Sequence, residues 1–210
     1  MPNLTLYGTP VSTYVRTVRL LLEEASVDYE LEDIGIFNGD NKTDDYLAKN
    51  PFGKIPTLEA DGKIIYEDDA ITHYLNETVA GGKFSPNEPL QQARMYQIMS
   101  IVSSYLYGPA VSTIVIQNLI VPQQGGETDR DAVEKAIAPT QKALQAIEAL
   151  YQGDPYLLGD TLTIADFYLI PIFVYLAQTP QYKAATADIP KLKGWWKAVR
   201  SLDSFKSVCK

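Results

Sequence analysis

Hydrophobic and polar positions are most regularly arranged between residues 50 and 75. Residues 57–60 and 63–66 are two short stretches typical of strands, and Asp61-Gly62 lies between them. A two-residue turn of the primed type needs positive φ angles, which an Asp-Gly pair adopts readily, so the pattern predicts a β-hairpin. The next stretch has apolar residues at helical spacing, which predicts a helix. These residues are Ala70, Ile71, Tyr74 and Leu75.

The N-terminal residues have the pattern of a strand followed by a helix. Residues 4–7 alternate in polarity and stop at Gly8-Thr9-Pro10, as a strand ending in a turn does. Apolar residues at helical spacing follow, at Val15, Val18, Leu22 and Ala25. Residues 28–34 alternate imperfectly and predict a second strand. Because two strands separated by a helix imply a parallel crossover, we predict a mixed four-stranded sheet with helices on its faces.

The composition changes abruptly at residues 81–89, where Gly and Pro are frequent, and we interpret this stretch as a linker. We therefore predict an α/β domain over residues 1–80 and a second domain over residues 90–210. Beyond the linker the apolar residues follow helical spacing, so the second domain is predicted to be all-α. Gly108-Pro109 predicts a break or kink, and the apolar residues 111–121 fit a continued helix better than an isolated strand.

A capping box begins one of the predicted helices. In the stretch LTIADF, Thr163 is expected at the N-cap and Asp166, three residues on, reaches back to its amide. Leu162 and Phe167 are placed as a hydrophobic staple. Such an arrangement stabilises a helix by about 1 to 2 kcal/mol, so we interpret Asp166 as structural rather than catalytic.

Composition excludes several function classes. The 210-residue chain has a net charge of −8 and no long basic run, which argues against nucleic acid and anionic membrane surfaces as partners. A single Cys209 and a single His73 exclude a disulfide and a metal site of the cysteine or histidine type, so no metal is expected. No leader or membrane-spanning run is recognised, and we expect a cytoplasmic protein.

The motifs taken together resemble those of a known family. They are a first strand followed by YGTPVS, the stretch NPFGKIPTLE, Glu67-Asp68 opening a helix, and LTIADF in a helical domain. In this order and spacing the whole chain is similar to cytosolic glutathione transferases, and the first turn resembles the serine-using phi, theta and delta-like classes or a bacterial relative. The resemblance implies a thioredoxin-like first domain with a cis peptide before Pro56, glutathione as co-substrate, and a homodimer.

Ser12 matches the family's catalytic hydroxyl. The resemblance implies that Ser12 donates a hydrogen bond to the sulfur of bound glutathione and so favours the thiolate, aided by the positive end of the first helix. The alternative is that Ser12 only caps this helix. The two roles do not exclude each other.

The resemblance also implies a cradle for the rest of glutathione. The backbone of Ile55 would pair with the cysteinyl part, Lys54 and Lys42 would reach the glycyl carboxylate, and Asn41 adjoins Lys42 where some relatives carry a basic residue. Glu67 would bind the γ-glutamyl ammonium. For the two lysines, the alternative is that they are only solvated charges of a loop.

Asp68 departs from the family pattern. Relatives usually carry a small hydroxyl or amide side chain there, which helps to hold the γ-glutamyl carboxylate, and a second carboxylate would repel that group. We consider, in order of preference, that Asp68 turns away and only its amide binds, that it takes up a proton, or that the site prefers another ligand. An acid that favours a helix start is the structural alternative.

The second substrate is expected to be a small apolar electrophile, bound by the helical domain. Candidate pocket residues are Tyr105, Tyr107, Val111 and Ile114, although such a stripe is more often part of a core. The function we predict is transfer of glutathione to the electrophile, or its use to reduce a peroxide or disulfide. The alternatives are a non-catalytic dimeric binding or scaffold module and a glutathione-dependent disulfide reductase.

Overall fold

The computed structural model describes residues 2–210, and the chain forms two compact units. One extends to Phe84 and also includes Asp203–Lys210, and the other is Ser85–Leu202. The sequence pattern predicts that this C-terminal segment belongs to the helical domain. It groups with the first unit because its helix packs against the first helix of the chain, a contact between residues far apart in sequence that no local pattern records.

The first unit contains the predicted mixed four-stranded sheet. Its strands are β1 (Leu4–Tyr7), β2 (Glu30–Glu32), β3 (Thr57–Ala60) and β4 (Lys63–Tyr66), in the order β2-β1-β3-β4. β1 is parallel to β2 and antiparallel to β3, and β3 pairs antiparallel with β4. The hairpin turn has φ angles of 49° at Asp61 and 76° at Gly62, as the primed turn requires. β2 is shorter than predicted.

Helices cover this sheet. They are α1 (Thr13–Glu24), a 3₁₀ turn (Asp40–Lys42), α2 (Asp44–Leu47), α3 (Asp68–Thr78) and α10 (Asp203–Val208). α1 packs against both α3 and α10. Its apolar face is fully buried, with Val15, Val18 and Leu22 at 0% exposure. The helical spacing read from the sequence therefore identified the face of α1 that lies in the core.

The second unit, described over its whole length, contains helices joined by loops and no strand. Its α-helices are α4 (Pro89–Ile101), α5 (Val121–Gln123), α6 (Arg130–Leu150), α7 (Ile164–Leu176), α8 (Tyr182–Ala185) and α9 (Pro190–Val199). Between α4 and α5 run two segments with wider, π-type turns, Val102–Leu106 and Gly108–Ile120. The chain bends by 48° between residues 89–106 and 108–123, at the predicted break. The continued helix over residues 111–121 is also confirmed.

Among the residues described, no single helix has both the length and the apolar composition needed to span a membrane. Residues 89–106 and 108–123 meet that requirement only when the two parts of the bent pair are taken together.

The capping box at the start of α7 is confirmed. The Asp166 carboxylate accepts hydrogen bonds from the Thr163 N–H and hydroxyl, both at 2.8 Å, and from the Leu157 N–H at 3.0 Å. The indole N–H of Trp195 donates to the same carboxylate at 2.8 Å. Burial raises the pKa of Asp166, and these hydrogen bonds oppose the rise. Asp166 thus joins α7, α9 and the preceding loop.

Candidate active site

Ser12 lies at the N-cap of α1 and is half-buried. Its backbone N–H donates to the Thr9 carbonyl at 3.1 Å, and its carbonyl accepts from the Arg16 N–H at 3.0 Å. The Ser12 hydroxyl makes no capping hydrogen bond. Three other N-cap side chains in the same chain do cap their helices: Thr43, Glu88 and Asp129. The hydroxyl of Ser12 is therefore not committed to holding the helix, unlike these three.

The turn before Ser12 fits closely against the segment that contains Pro56. Gly8 follows β1, and a Cβ atom added to it would lie 2.5 Å from Val15 Cγ2 and 3.4 Å from Ile55 Cβ. Only glycine allows this approach. The Ile55–Pro56 peptide bond is cis, as the resemblance implied. Gly8 thus lets the end of β1, the start of α1 and the residues around the cis peptide lie together.

Tyr7 is another hydroxyl-bearing residue near this turn, and its hydroxyl bonds a different group. Its hydroxyl donates to the Glu59 carboxylate at 2.8 Å, and the side chain is buried. Burial and the hydrogen bond to Glu59 raise the pKa of Tyr7 to about 12. A phenol held by a carboxylate acceptor is poorly suited to donate to a thiolate.

A hydrogen-bond network that sequence reasoning missed holds the Lys54–Pro56 segment. The Lys54 carbonyl accepts from the Tyr46 hydroxyl at 2.7 Å and from Asn50 Nδ2 at 2.9 Å. Both side chains also bond Thr57 Oγ1, at 3.0 and 3.2 Å, and both are buried. The Asn50 Oδ1 accepts the Phe52 N–H at 3.1 Å. A signal was present, since Asn50 stands directly before Pro51, where a side chain often bonds the turn backbone.

The side chain of Ile55 is half-buried. It packs against a cluster formed by Tyr7, Ile34 and Tyr46. Ile55 is therefore held by the apolar contacts of its side chain. The hydrogen bonds to the carbonyl of the neighbouring Lys54 hold its backbone. Such anchoring suits a backbone that must present fixed hydrogen-bonding groups to an extended ligand.

The predicted cationic and amide residues lie in two loops of the same unit. The side chains of Lys42 and Lys54 are exposed. Asn41 is more buried, and its Nδ2 donates to the Gly53 carbonyl at 2.7 Å, whereas its Oδ1 is buried and makes no hydrogen bond. Asn41 therefore ties the loop of Lys42 to the loop of Lys54, so that the two lysines are presented by connected segments.

Glu67 and Asp68 form the start of α3. Glu67 is exposed and has φ 71° and ψ 125°, a conformation that a residue with a side chain rarely adopts. The helix begins with the Ile71 N–H bonded to the Glu67 carbonyl at 3.0 Å, so the amides before Ile71 point out of the helix start. The two carboxylate oxygens of Asp68 are shielded from solvent. Which of the three outcomes applies to Asp68 stays a prediction.

Three of the four candidate residues of the electrophile pocket lie in the wide-turn helical segments of the second unit, and Tyr107 lies between these segments. Tyr105 is 67% exposed, Tyr107 is half-buried, and Val111 and Ile114 are buried. Tyr105 is thus the member of this set most accessible to a ligand. The proposed role of the set stays a prediction.

Comparison with known proteins places this geometry in a family. Residues 6–83 match the glutathione S-transferase N-terminal domain, and residues 96–203 match the glutathione S-transferase C-terminal domain. Glutathione S-transferase F13 of Arabidopsis thaliana is 32% identical over 205 residues, covering 97% of this chain and 93% of that protein. Glutathione S-transferase 3 of Zea mays is 31% identical over 208 residues, covering 99% and 94%.

Solved structures agree with this similarity. The crystal structure of glutathione transferase F7 from Populus trichocarpa superposes with a TM-score of 0.86 at 33% identity, covering 98% of this chain and 97% of that one. A glutathione S-transferase I structure with the ligand lactoylglutathione has a TM-score of 0.86 at 28% identity, covering 99% and 98%. The likeness extends over both units of the chain.

Proposed function

The chain belongs to the glutathione S-transferase family, and from this premise we propose that it activates glutathione by a hydrogen bond from the Ser12 hydroxyl to the sulfur. Both relatives described above are named glutathione S-transferases, and the similarity covers 93% and 94% of their lengths. This favours an enzyme over the non-catalytic scaffold module. The proposed reaction is attack of the thiolate on a small apolar electrophile.

One observation carries the assignment to Ser12: this residue occupies an N-cap position without using its hydroxyl as a cap. A donor at the positive end of a helix favours a nearby anion. Lowering a thiol pKa by two units from about 8.5 requires about 2.7 kcal/mol. A hydrogen bond to a charged group contributes about 1.5 to 3 kcal/mol, so one serine and a helix start suffice.

The other parts of glutathione are proposed to contact the two connected loops and the start of α3. We propose that the Ile55 backbone pairs with the cysteinyl part and that Lys42 and Lys54 attract the glycyl carboxylate. Asn41 contributes by holding the two lysine loops together through Gly53. Glu67, exposed at the start of α3, would bind the γ-glutamyl ammonium.

We propose that only the amide of Asp68 binds the γ-glutamyl carboxylate. The Asp68 side chain is partly buried and its oxygens are shielded from solvent, which supports a carboxylate turned away from a ligand at the open helix start. Two carboxylates in direct contact would repel each other. Replacing Asp68 by Ser would then leave the KM for glutathione unchanged or lower it slightly.

Oligomeric state and compartment are part of the proposal. The side chain of Phe52 is 65% exposed and stacks edge-on with Tyr66 at 6.0 Å between ring centroids. An exposed aromatic side chain supports coverage by a second copy, so we propose a homodimer. We also propose a cytoplasmic location, where glutathione is available in reduced form.

The thiol pKa of bound glutathione tests the assignment. Titration of thiolate absorbance in the complex should give a pKa one to two units below that of free glutathione, and Ser12→Ala should return it toward the free value. With an aryl halide, kcat/KM should fall about 10- to 100-fold in Ser12→Ala, as expected for one hydrogen bond to a charged group. A Ser12→Ala variant with normal activity and a normal thiol pKa would contradict the role.

A comparison of second substrates tests whether the thiolate is used for conjugation or for disulfide reduction. Turnover of an aryl halide should exceed turnover of a mixed disulfide if the enzyme conjugates. The opposite order would favour the disulfide reductase. Variants of Tyr105 should change the KM for the electrophile and leave the KM for glutathione unchanged.

A further inference from the structure

Helix α1 carries two arginines, and one of them lies in the interior. Arg16 is 5% exposed, whereas Arg19 is half-buried. Arginine is rarely buried to this extent, because its guanidinium stays charged and loses its hydration. Helix stability does not account for Arg16 either, since a cation one turn from a helix start is opposed by the positive end of the helix dipole. The reason for an arginine at this position therefore has to lie in what its side chain contacts.

The Arg16 side chain runs back toward the start of the helix. Its Nε–H donates to the Pro10 carbonyl at 3.2 Å. Pro10 belongs to the turn between β1 and α1, two residues before Ser12. The backbone N–H of Arg16 donates to the Ser12 carbonyl at 3.0 Å. Arg16 therefore binds the chain both just before Ser12 and at Ser12 itself.

The Pro10 carbonyl receives no other bond of the backbone type. The Ser12 N–H donates to the preceding carbonyl, that of Thr9, at 3.1 Å, and no backbone N–H of residues 2–210 donates to the carbonyl of Pro10. Without the Arg16 side chain, the peptide plane between Pro10 and Val11 would lose this donor. The orientation of this plane sets the direction in which the chain enters Ser12.

The Ser12 hydroxyl depends on this direction more than a capping hydroxyl would. Ser12 has φ −67° and ψ 136°, and its side chain makes no capping hydrogen bond. Because no capping bond fixes the hydroxyl, the backbone at Ser12 determines where it can reach. A hydrogen bond weakens steeply when its angle and distance depart from the optimum. A donor that serves a thiolate therefore needs a rigid turn beneath it.

We propose that Arg16 is a positioning residue for Ser12, whose hydroxyl it aims at the glutathione sulfur by fixing the peptide between Pro10 and Val11. The inference rests on the proposed role of Ser12. The Nε donor carries the effect rather than the charge, because Nε is the atom that contacts the turn. Arg16 acts through Ser12, so its loss should raise the thiol pKa of bound glutathione without changing the KM for glutathione.

Three substitutions of Arg16 separate the donor from the charge. Arg16→Gln removes the charge and places an amide nitrogen as many bonds from Cα as Nε is. Arg16→Met has a similar length and no donor. Arg16→Lys keeps the charge and has a methylene at the position of Nε. Since the last two both lack the donor, either one carries the test if the other is unstable.

Titration of thiolate absorbance in the glutathione complex measures the effect. Arg16→Met and Arg16→Lys should raise the thiol pKa by about half a unit to one unit, and Arg16→Gln by less than half of that shift. With an aryl halide at about pH 6, kcat should fall about three- to tenfold in the first two variants. The matched control is Arg19→Met, which removes the same charge from the same helix. The Nε of Arg19 donates to the Tyr29 hydroxyl at 3.0 Å, so the thiol pKa should stay unchanged.

A pH profile distinguishes positioning from general damage to the fold. Above about pH 9 the bound thiol is ionised in every variant, so kcat of Arg16→Met should return to within about twofold of the parent value. A variant that had lost folded structure would not recover at alkaline pH. A persistent loss of kcat in this range would overturn the proposal.

Ser12→Ala, measured in parallel, separates this inference from the proposed function. If Ser12→Ala leaves the thiol pKa unchanged, the proposed function fails and the role of Arg16 fails with it. If Ser12→Ala raises the thiol pKa and Arg16→Met does not, only the role of Arg16 is overturned. In the Ser12→Ala background, Arg16→Met should add little, and a full additive shift would contradict an action through Ser12. A large shift in Arg16→Gln with none in Arg16→Lys would show that the charge acts, and would also overturn the proposal.

Discussion

The starts of α1 and α7 both carry a hydroxyl residue at the N-cap, and the two hydroxyls have opposite surroundings. Thr163 donates to the Asp166 carboxylate, which receives four hydrogen bonds in all and is fully buried. Ser12 is half-buried and makes no capping bond. At the start of α7 the Thr163 hydroxyl is hydrogen-bonded within the chain. At the start of α1 the Ser12 hydroxyl remains available as a donor.

The difference shows how one local motif serves stability in one place and chemistry in another. A buried carboxylate is tolerated only when donors surround it, so Asp166 is costly to change. A serine that caps nothing contributes little to stability, so its hydroxyl is available for a ligand. The proposed activity therefore lies at the start of α1, where the hydroxyl of the N-cap residue does not stabilise the helix.

The largest effect on stability is expected at Asp166, at the start of α7. Asp166→Ala would leave four donors without an acceptor in the core, and we expect the free energy of unfolding to fall by about 3 to 5 kcal/mol. Urea unfolding followed by circular dichroism measures this change. Asp203→Ala is the control: the side chain of Asp203 is 98% exposed, so loss of its ion pair with Lys206 should change the midpoint only slightly. Equal stability of the two variants would contradict the comparison.

The next effect concerns the network that holds the Ile55 segment. Asn50→Ala removes bonds to the Lys54 carbonyl, Thr57 and the Phe52 N–H. We expect a loss of about 2 to 3 kcal/mol in stability and a raised KM for glutathione with little change in kcat. Tyr46→Phe keeps the ring packing and should show a smaller effect of the same kind. A fall in kcat alone would show that the network does not act through glutathione binding.

A direct comparison of two caps comes third. Asp129 caps α6 by accepting the Ala132 N–H at 2.9 Å, so Asp129→Ala should destabilise the protein by about 1 kcal/mol. Ser12→Ala should leave the unfolding free energy unchanged while the thiol pKa rises. Destabilisation of similar size in both variants would show that Ser12 caps α1 in solution, contrary to the structure.

The smallest effect on chemistry is expected at Tyr7. Because its hydroxyl is held by Glu59, Tyr7→Phe should leave the thiol pKa of bound glutathione unchanged. The pKa of Tyr7 is raised from 10.0 to about 12 in the folded protein, so its stabilising contribution is present below pH 10 and lost as the pH rises toward 12. Tyr7→Phe should therefore flatten the loss of stability in this alkaline range, measured by urea unfolding. A shifted thiol pKa would transfer the donor role from Ser12 to Tyr7.

Patterns that depend on near neighbours were predicted well. The Asp61-Gly62 hairpin, the buried face of α1 and the reach of Asp166 back to Thr163 each involve residues within a few positions of one another. The bonds of Tyr46 and Asn50 to the Lys54 carbonyl were missed although they are also local. The reason is that amide and phenol side chains have many alternative partners, and spacing does not distinguish among them.

The sequence by itself determined the succession of strands and helices in the first unit, the helical nature of the second and the family to which the chain belongs. Those features follow from periodicity, turn chemistry and the order of motifs, all of which can be recognised from the sequence of residues alone. Only the tertiary structure decided that Ser12 leaves its cap position unused and that Asp203–Lys210 joins the first unit. Each of these depends on which distant groups fill the surrounding space, and one-dimensional spacing does not specify that.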